Sequence, residues 1–145
     1  MRIAVYTIAK NEEANVRRWA DSCQDADYRV VCDTGSQDRT VELLEQQGVT
    51  VHNIQQTPWR FDGARNQALD WCPDDADICI SLDMDEWLMP GWRQAIEQAW
   101  TQGTTRLSYL YVFAADVSDQ GFWANKIHAR QGYRWRRAVH ESVFP

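Results

Sequence analysis

Two aspartates with a spacing suited to cation binding, Asp83 and Asp85, directly follow an apolar run that ends at Leu82. At the end of a strand, this spacing turns both carboxylates to the same side. Carboxylate oxygens are the ligands that Mg²⁺ and Mn²⁺ prefer, and such cations commonly share their coordination with the phosphates of a nucleotide. The pair therefore indicates a cation site for a nucleoside diphosphate. An acidic turn that caps the following helix explains the motif equally well when it is taken alone.

Polar residues also follow the first two apolar runs, at 7–13 and at 33–40. In an open α/β sheet, ligands bind beyond the carboxyl ends of the strands. The second segment offers the acid Asp33, the glycine Gly35 for close backbone approach, and the N–H groups of a following helix. An ordinary strand-to-helix turn has the same residues, so this segment alone decides nothing.

Four apolar runs predict the strands that position these residues, at 3–9, 28–32, 49–54 and 78–82. Continuous rather than alternating apolar runs are typical of parallel strands covered on both faces. Apolar residues at helical spacing separate the runs, and a fourth helix is expected from Pro90 to just before Gly103. A strand over 106–113 follows, and shorter strands and loops are expected from Gly121 onward. This order predicts an α/β fold with a mostly parallel central sheet and an antiparallel C-terminal edge.

Composition excludes several classes of protein. The 145 residues, 44% of them hydrophobic, suffice for one domain with a buried core, and the net charge of −6 argues against a nucleic-acid partner. No apolar run approaches the roughly 20 residues of a membrane span, and the first residues do not resemble a secretory signal, so a cytoplasmic protein is expected. The four cysteines show no C-x-x-C pair, which favours buried free thiols.

Charge is distributed unevenly along the chain. Residues 66–92 contain seven acids and no Lys or Arg, whereas 120–140 contain five Lys and Arg and no acid. Two solvated faces are the simplest interpretation, and closure of the basic stretch over an anionic ligand is the alternative. The first strand is not followed by G-x-G-x-x-G, and no G-K-[ST] occurs, which argues against hydride transfer and P-loop phosphoryl transfer.

Four short motifs follow one another along the chain: Thr7…Asn11-Glu12, Asp33-x-Gly35-Ser36-x-Asp38-x-Thr40, Gly63-Ala64-Arg65-Asn66 and Asp83-x-Asp85-Glu86. Taken together, they resemble the motifs of an inverting glycosyltransferase of the GT-A fold, family 2. The string from His128 to Glu141 resembles the end of the catalytic region in a bacterial branch of that family. The resemblance implies a Rossmann-like α/β/α sandwich in a single domain, 1–145. Its nucleotide-sugar half would cover about 1–103, and a short acceptor and metal-closing part about 104–145.

The resemblance also implies roles for individual residues. The predicted donor-binding residues are Thr7, Ala9, Glu12, Asp33, Arg65 and Asp83. Within this set, Asp33 would hydrogen-bond the base, and Arg65 would reach the base or the diphosphate.

The predicted metal ligands for Mn²⁺ or Mg²⁺ are Asp83, Asp85 and His140. A divalent cation would offset the negative charge that develops on the leaving nucleoside diphosphate. Asp85 and Glu141 are the predicted catalytic residues, with Glu141 as the base that takes the acceptor proton. An acid beside a metal-ligating histidine could equally be an outer residue that orients the ligand.

The expected function is metal-dependent transfer of a sugar, with inversion, from a nucleoside diphosphate sugar, with UDP favoured, to a hydroxyl of an unknown acceptor such as a saccharide. The alternative is a nucleotide-sugar-binding or carbohydrate-binding module with little transfer, in which exposed tryptophans stack on sugars. A nucleotidyltransferase would also use paired aspartates, but its glycine- and arginine-rich phosphate loop is not found. Exposure of Trp123, Trp135 or Phe144 would favour a homo-oligomer.

Overall fold

The computed structural model describes residues 1–113 and 121–145, and residues 114–120 of the predicted acceptor part lie outside it. Helices and strands alternate over the first hundred residues, and strands follow. The elements are β1 (Ile3–Ala9), α1 (Glu13–Ser22), β2 (Tyr28–Asp33), α2 (Thr40–Gln46), β3 (Thr50–Asn53), α3 (Phe61–Asp70), β4 (Ile78–Ser81), α4 (Trp92–Ala99), β5 (Arg106–Val112), β6 (Gly121–Ala129), β7 (Arg134–Arg136) and β8 (Ser142–Phe144).

The central sheet has the strand order β3-β2-β1-β4-β6-β5. Strands β1 to β4 are mutually parallel, and β6 runs antiparallel to both β4 and β5. A separate antiparallel pair is formed by β7 and β8. The predicted α/β class, with a mostly parallel sheet and an antiparallel edge, is confirmed. All four parallel strands direct their carboxyl ends, and the loops that follow, to one edge of the sheet.

Helices cover both faces of the sheet. On one face, side chains of α1, α2 and α4, among them Trp19, Leu44 and Ile96, pack with Ile3, Val5 and their neighbours on the strands. On the other face, α3 packs Ala64, Ala68 and Leu69 against the sheet. The four cysteines are buried free thiols, as predicted, and burial raises the pKa of Cys23 and Cys32 to about 12.

Two elements differ from expectation. The fourth helix begins at Trp92 rather than Pro90, because Gly91 has a φ of 84°, which a right-handed helix does not allow. Strand β6 is one continuous nine-residue strand instead of short strands and loops. Its hydrogen bonds come from β4 and β5 on either side, and such long-range pairing leaves no local sequence pattern.

Buried hydrogen bonds join the C-terminal pair of strands to the central sheet. The Trp135 indole N–H donates to the Tyr6 hydroxyl at 2.7 Å, and the Tyr6 hydroxyl lies 3.0 Å from His128 Nε2. His128 Nδ1 lies 2.8 Å from the Ala129 carbonyl oxygen, so the neutral Nδ1–H tautomer satisfies every group in this chain. Trp135 is only 4% exposed, which corrects the expectation that it contributes to an apolar surface for self-association.

None of the helices in the described part of the chain has the length and apolarity needed to cross a membrane.

Stability should depend on pH through His128. Burial lowers the pKa of His128 from 6.5 to about 4. Below pH 6.5 the His128 imidazole is therefore protonated in the unfolded chain but stays neutral in the folded chain until the pH approaches 4. The folded state is therefore destabilised as the pH falls through this window. Between pH 7.5 and pH 5.0, His128 should lower the free energy of unfolding by about 2 kcal/mol. Urea unfolding at the two pH values checks this, with His128→Gln as the comparison. Equal pH dependence in the wild type and the variant would contradict it.

Candidate active site

The loops that follow β1 and β2 are fastened to each other at the carboxyl edge of the sheet. The Asn11 N–H donates to Ser36 Oγ at 2.9 Å, and the Gln37 N–H donates to Asn11 Oδ1 at 2.7 Å. The Glu12 N–H donates to Thr40 Oγ1 at 2.8 Å. Beyond the ends of β1 and β2, these bonds between side chains and backbone replace the backbone hydrogen bonds of the sheet. They hold the two loops together as one wall of a cleft.

This edge cleft has a volume of about 510 Å³ and lies among the loops after β1, β2 and β4 and the start of α3. Four of the predicted donor-binding residues line it: Ala9, Glu12, Arg65 and Asp83. Additional lining residues, to which the sequence analysis gave no role, are Lys10, Thr34, Trp59 and Phe61. The structure thus brings most of the predicted donor set to one concave surface.

Thr7 and Asp33 are buried and do not line the edge cleft. The Asp33 carboxylate accepts hydrogen bonds from the N–H groups of Gly35 and Ser36, at 3.0 and 2.9 Å, and from the Ser36 hydroxyl. In this conformation Asp33 shapes the turn after β2. Its predicted contact with a base stays a prediction.

Arg65 connects the edge cleft to the C-terminal strands. Its Nη1 donates to Asp83 Oδ1 at 2.6 Å, and its Nε donates to Glu141 Oε1 at 2.8 Å. The guanidinium also lies 4.9 Å from the centre of the Trp135 ring, a cation–π distance. Burial disfavours the charged guanidinium, but the two carboxylates outweigh burial and raise the pKa of Arg65.

Glu141 reaches Arg65 because α3 is bonded to β7. The Asn66 side chain donates to the Trp135 carbonyl at 2.9 Å and accepts from the Trp135 N–H at 2.8 Å. Strand β7 pairs with β8, which begins one residue after Glu141. Glu141 itself does not line the edge cleft, and it contacts the cleft only through Arg65.

Lys126, on β6, is a site residue to which the sequence analysis gave no role. Its ammonium group donates to Asp83 Oδ2 at 3.2 Å and to both Glu86 carboxylate oxygens at 2.8 and 2.9 Å. Burial opposes ionisation of Asp83, but Lys126 and Arg65 prevail and lower its pKa. For Glu86 burial prevails, and its pKa is raised. The only sequence signal for Lys126 was its place in the basic stretch.

Asp85 and His140 are the predicted metal ligands with side chains exposed to solvent. The Asp85 carboxylate lines the edge cleft and accepts no hydrogen bond from the residues that the structure describes. Both Asp83 carboxylate oxygens, in contrast, are bonded to cationic side chains. His140 has a left-handed φ of 54° and lies outside the cleft lining.

The donor set fits a divalent cation that is shared with a ligand. Within residues 1–113 and 121–145, no three or more His, Cys, Asp or Glu side chains converge as a metal cage. Mg²⁺ and Mn²⁺ bound with a nucleotide usually take only one or two carboxylates, and phosphate oxygens and water complete their coordination. The Asp85 carboxylate, which has no hydrogen-bond donor among the residues of 1–113 and 121–145, meets that requirement.

Removal of the Arg65 side chain should lower stability, since it leaves Asp83 and Glu141 without the charge that both contact. We expect Arg65→Ala to lower the free energy of unfolding by about 3 kcal/mol, measured by urea denaturation. Arg17→Ala is the matched control and should change stability little, because the one ion pair of Arg17 within the described part of the chain is an exposed pair with Asp21. Equal losses in both variants would contradict a stabilising role of the Arg65 ion pairs.

Several solved structures share this fold. Glucosyl-3-phosphoglycerate synthase from Mycobacterium tuberculosis, in complex with UDP, is 22% identical with a TM-score of 0.61, over 78% of this chain and 45% of the synthase. The same synthase with Mn²⁺, UDP and glucosyl-3-phosphoglycerate is 22% identical with a TM-score of 0.58, over 72% and 42% of the two chains. S. aureus TarS, in complex with UDP-GlcNAc, is 18% identical with a TM-score of 0.56, over 68% and 30%. The chain therefore spans less than half the length of these proteins.

The likeness confirms the predicted GT-A fold. Among curated proteins, none matches the sequence of this chain. The family model of glycosyl transferase family 2 matches residues 4–141, which is nearly the whole sequence and includes the motifs at the cleft. The chain therefore belongs to glycosyl transferase family 2.

Proposed function

We propose that the chain binds a nucleoside diphosphate sugar, with UDP as the favoured nucleotide, and transfers the sugar with inversion to an acceptor hydroxyl, with the aid of a divalent cation. The observation that carries this proposal is the edge cleft, which is lined both by the Arg65–Asp83 ion pair and by Asp85, whose carboxylate accepts no hydrogen bond from the described residues. Family membership supports nucleotide-sugar transfer in general. The related structures were solved with UDP or UDP-GlcNAc, which favours uridine nucleotides.

Asp83 would orient the nucleotide. Arg65 and Lys126 hold its carboxylate ionised and in a fixed position, one from each side. Each carboxylate oxygen has two lone pairs, so both can still accept a hydrogen bond from a ribose hydroxyl. Lys10, exposed on the opposite wall, would offer its ammonium group to the diphosphate.

Of the predicted metal ligands, Asp85 would hold the divalent cation in the edge cleft, because both Asp83 oxygens are bonded to cations and His140 lies outside the cleft lining. A bound Mn²⁺ or Mg²⁺ supplies positive charge beside the diphosphate and so stabilises the charge that develops there as the sugar leaves. Crystals of the mycobacterial synthase that contain Mn²⁺ together with UDP support this choice of cofactor.

Glu141 would take the proton from the acceptor hydroxyl. Its carboxylate is bonded to Arg65, which lines the edge cleft, so Glu141 would act either as this base or by fixing Arg65. The two roles predict different kinetics, because a base acts on the chemical step whereas a positioning residue also acts on donor binding.

Asp85→Asn should weaken the effect of Mn²⁺ on UDP binding by at least about tenfold, since an amide is a poorer ligand for a hard cation than a carboxylate. Calorimetric titration with UDP, with and without Mn²⁺, measures the change. Asp25→Asn removes an exposed carboxylate away from the cleft and serves as the control. If Asp85→Asn keeps the wild-type response to Mn²⁺, the assignment of Asp85 as metal ligand is wrong.

Glu141→Gln keeps an oxygen that can accept from Arg65 but cannot take a proton. If Glu141 is the base, kcat for transfer should fall by about 100-fold or more while the Kd of UDP stays unchanged. UDP release from a UDP-sugar, measured with and without acceptor, gives kcat. A weaker UDP affinity with near-normal kcat would instead assign Glu141 to the positioning of Arg65.

The alternative function, a binding module without transfer, is separated from this proposal by one observation. A binding module would show UDP-sugar affinity at the edge cleft, but the bound donor would not be consumed in the presence of acceptor.

A further inference from the structure

A second cavity adjoins the edge cleft and shares the Asp85 side chain with it. This apolar cavity has a volume of about 290 Å³ and lies between the loop at 85–89, helix α4 and strand β5. Its lining is aliphatic and aromatic, and includes Trp87, Met89, Trp92 and Tyr109. The cavity lies beyond the end of β4, on the β5 side of Asp85. A ligand in it would therefore approach the edge cleft from the side away from β1 and β2.

We propose that the apolar cavity binds the acceptor, and that this acceptor has an apolar, uncharged portion next to the hydroxyl that receives the sugar. The inference rests on the proposed function, because only a transferase needs a second substrate beside the donor. Proximity supports it, since the acceptor hydroxyl must reach the sugar that the diphosphate near Asp85 carries.

The charges around the cavity favour an uncharged acceptor over an anionic one. None of its lining residues in the described part of the chain is Lys, Arg or His, whereas Asp85 and Glu86 both contribute to it. Lys126 pairs with Glu86 without lining the cavity, and Arg18 stacks on Trp87 at 4.3 Å without lining it. Because Lys126 is already paired with Glu86 and a cation at Asp85 would be shared with the diphosphate, a phosphate or carboxylate group placed there would find no cationic side chain of its own in the lining, which is unfavourable in a partly desolvated site.

The walls also indicate what the cavity accepts. Apolar side chains make up most of the surface, and the two tyrosines of β5, Tyr109 and Tyr111, also line it. Burial, followed by the charge of Glu86, raises the pKa of both tyrosines, so they remain neutral donors. A ligand with an alkyl or aromatic portion and neutral hydroxyls matches such a surface.

The test uses octyl β-D-glucoside below its micelle concentration, methyl β-D-glucoside, and 3-phosphoglycerate as the anionic probe. Calorimetric titration of the full chain with UDP and Mn²⁺ present gives the three affinities. The octyl glucoside should bind at least about tenfold more tightly than the methyl glucoside, because each buried methylene raises affinity about fourfold. The 3-phosphoglycerate should not bind. With UDP-glucose or UDP-GlcNAc as donor, octyl glucoside should accelerate UDP release above the rate with water alone.

Two alanines of α4 provide a matched pair of variants. Ala95 and Ala99 are both exposed, but only Ala95 lines the apolar cavity. Ala95→Phe should abolish the advantage of the octyl over the methyl glucoside, and Ala99→Phe should keep it. Both variants should bind UDP as the wild type does, which shows that each is folded. If both variants lose the preference for octyl over methyl glucoside, or if both keep it, the preference does not depend on the apolar cavity. Either result would overturn the proposal.

The outcomes separate this inference from the proposed function. If UDP binds but octyl glucoside is no better than methyl glucoside, or if 3-phosphoglycerate binds more tightly than either, the acceptor class is wrong and the proposed function stands. If UDP does not bind under any condition, the proposed function fails and the acceptor assignment fails with it, even where octyl glucoside binds.

Discussion

The double ion pair of Arg65 is the interaction on which the arrangement of the site depends. Arg65 is only 9% exposed, and its guanidinium requires compensating charge, because an unpaired buried cation costs several kcal/mol. Asp83, after β4, and Glu141, before β8, supply that charge from parts of the chain far apart in sequence. One helix side chain thereby fixes the loop after β4 on one side and the C-terminal strands on the other. The Trp135 ring and the Asn66 amide hold the same helix and strands in register.

The two aspartates after β4 have opposite environments although they are two residues apart. Asp83 is half-buried between Arg65 and Lys126, and its charge is neutralised within the protein. Asp85 is exposed, and its carboxylate has no partner among the described residues. A neutralised carboxylate serves as a fixed hydrogen-bond acceptor, whereas an unpaired one attracts a cation, so the local structure assigns different chemistry to identical side chains. The i, i+2 spacing alone could not make that distinction.

Local sequence patterns were enough to predict the parallel strands, the helices between them and the edge that carries the polar loops, because each depends on residues close in sequence. They failed where distant segments decide the outcome. The acidic and basic stretches were expected to form two solvated faces; Asp74 is exposed as expected, but the half-buried Asp83 pairs with Lys126, and the buried Arg130 reaches Asp74. The role of Lys126 and the length of β6 both follow from insertion of β6 beside β4. Asp33 is bonded within its own turn, a detail of side-chain geometry that no spacing predicts.

Lys126 also connects the two cavities that border Asp85. Its ammonium group bonds Asp83, which lines the edge cleft, and Glu86, which lines the apolar cavity. The Lys126 ammonium group thus pairs with one acid at each cavity, Asp83 and Glu86. These bonds hold the loop around Asp85 without a bond to the Asp85 carboxylate. Since Glu86 Oε2 also accepts the Asp83 N–H at 2.9 Å, a shift of either acid would be transmitted to the other. Binding in one cavity should therefore affect the electrostatics of the other.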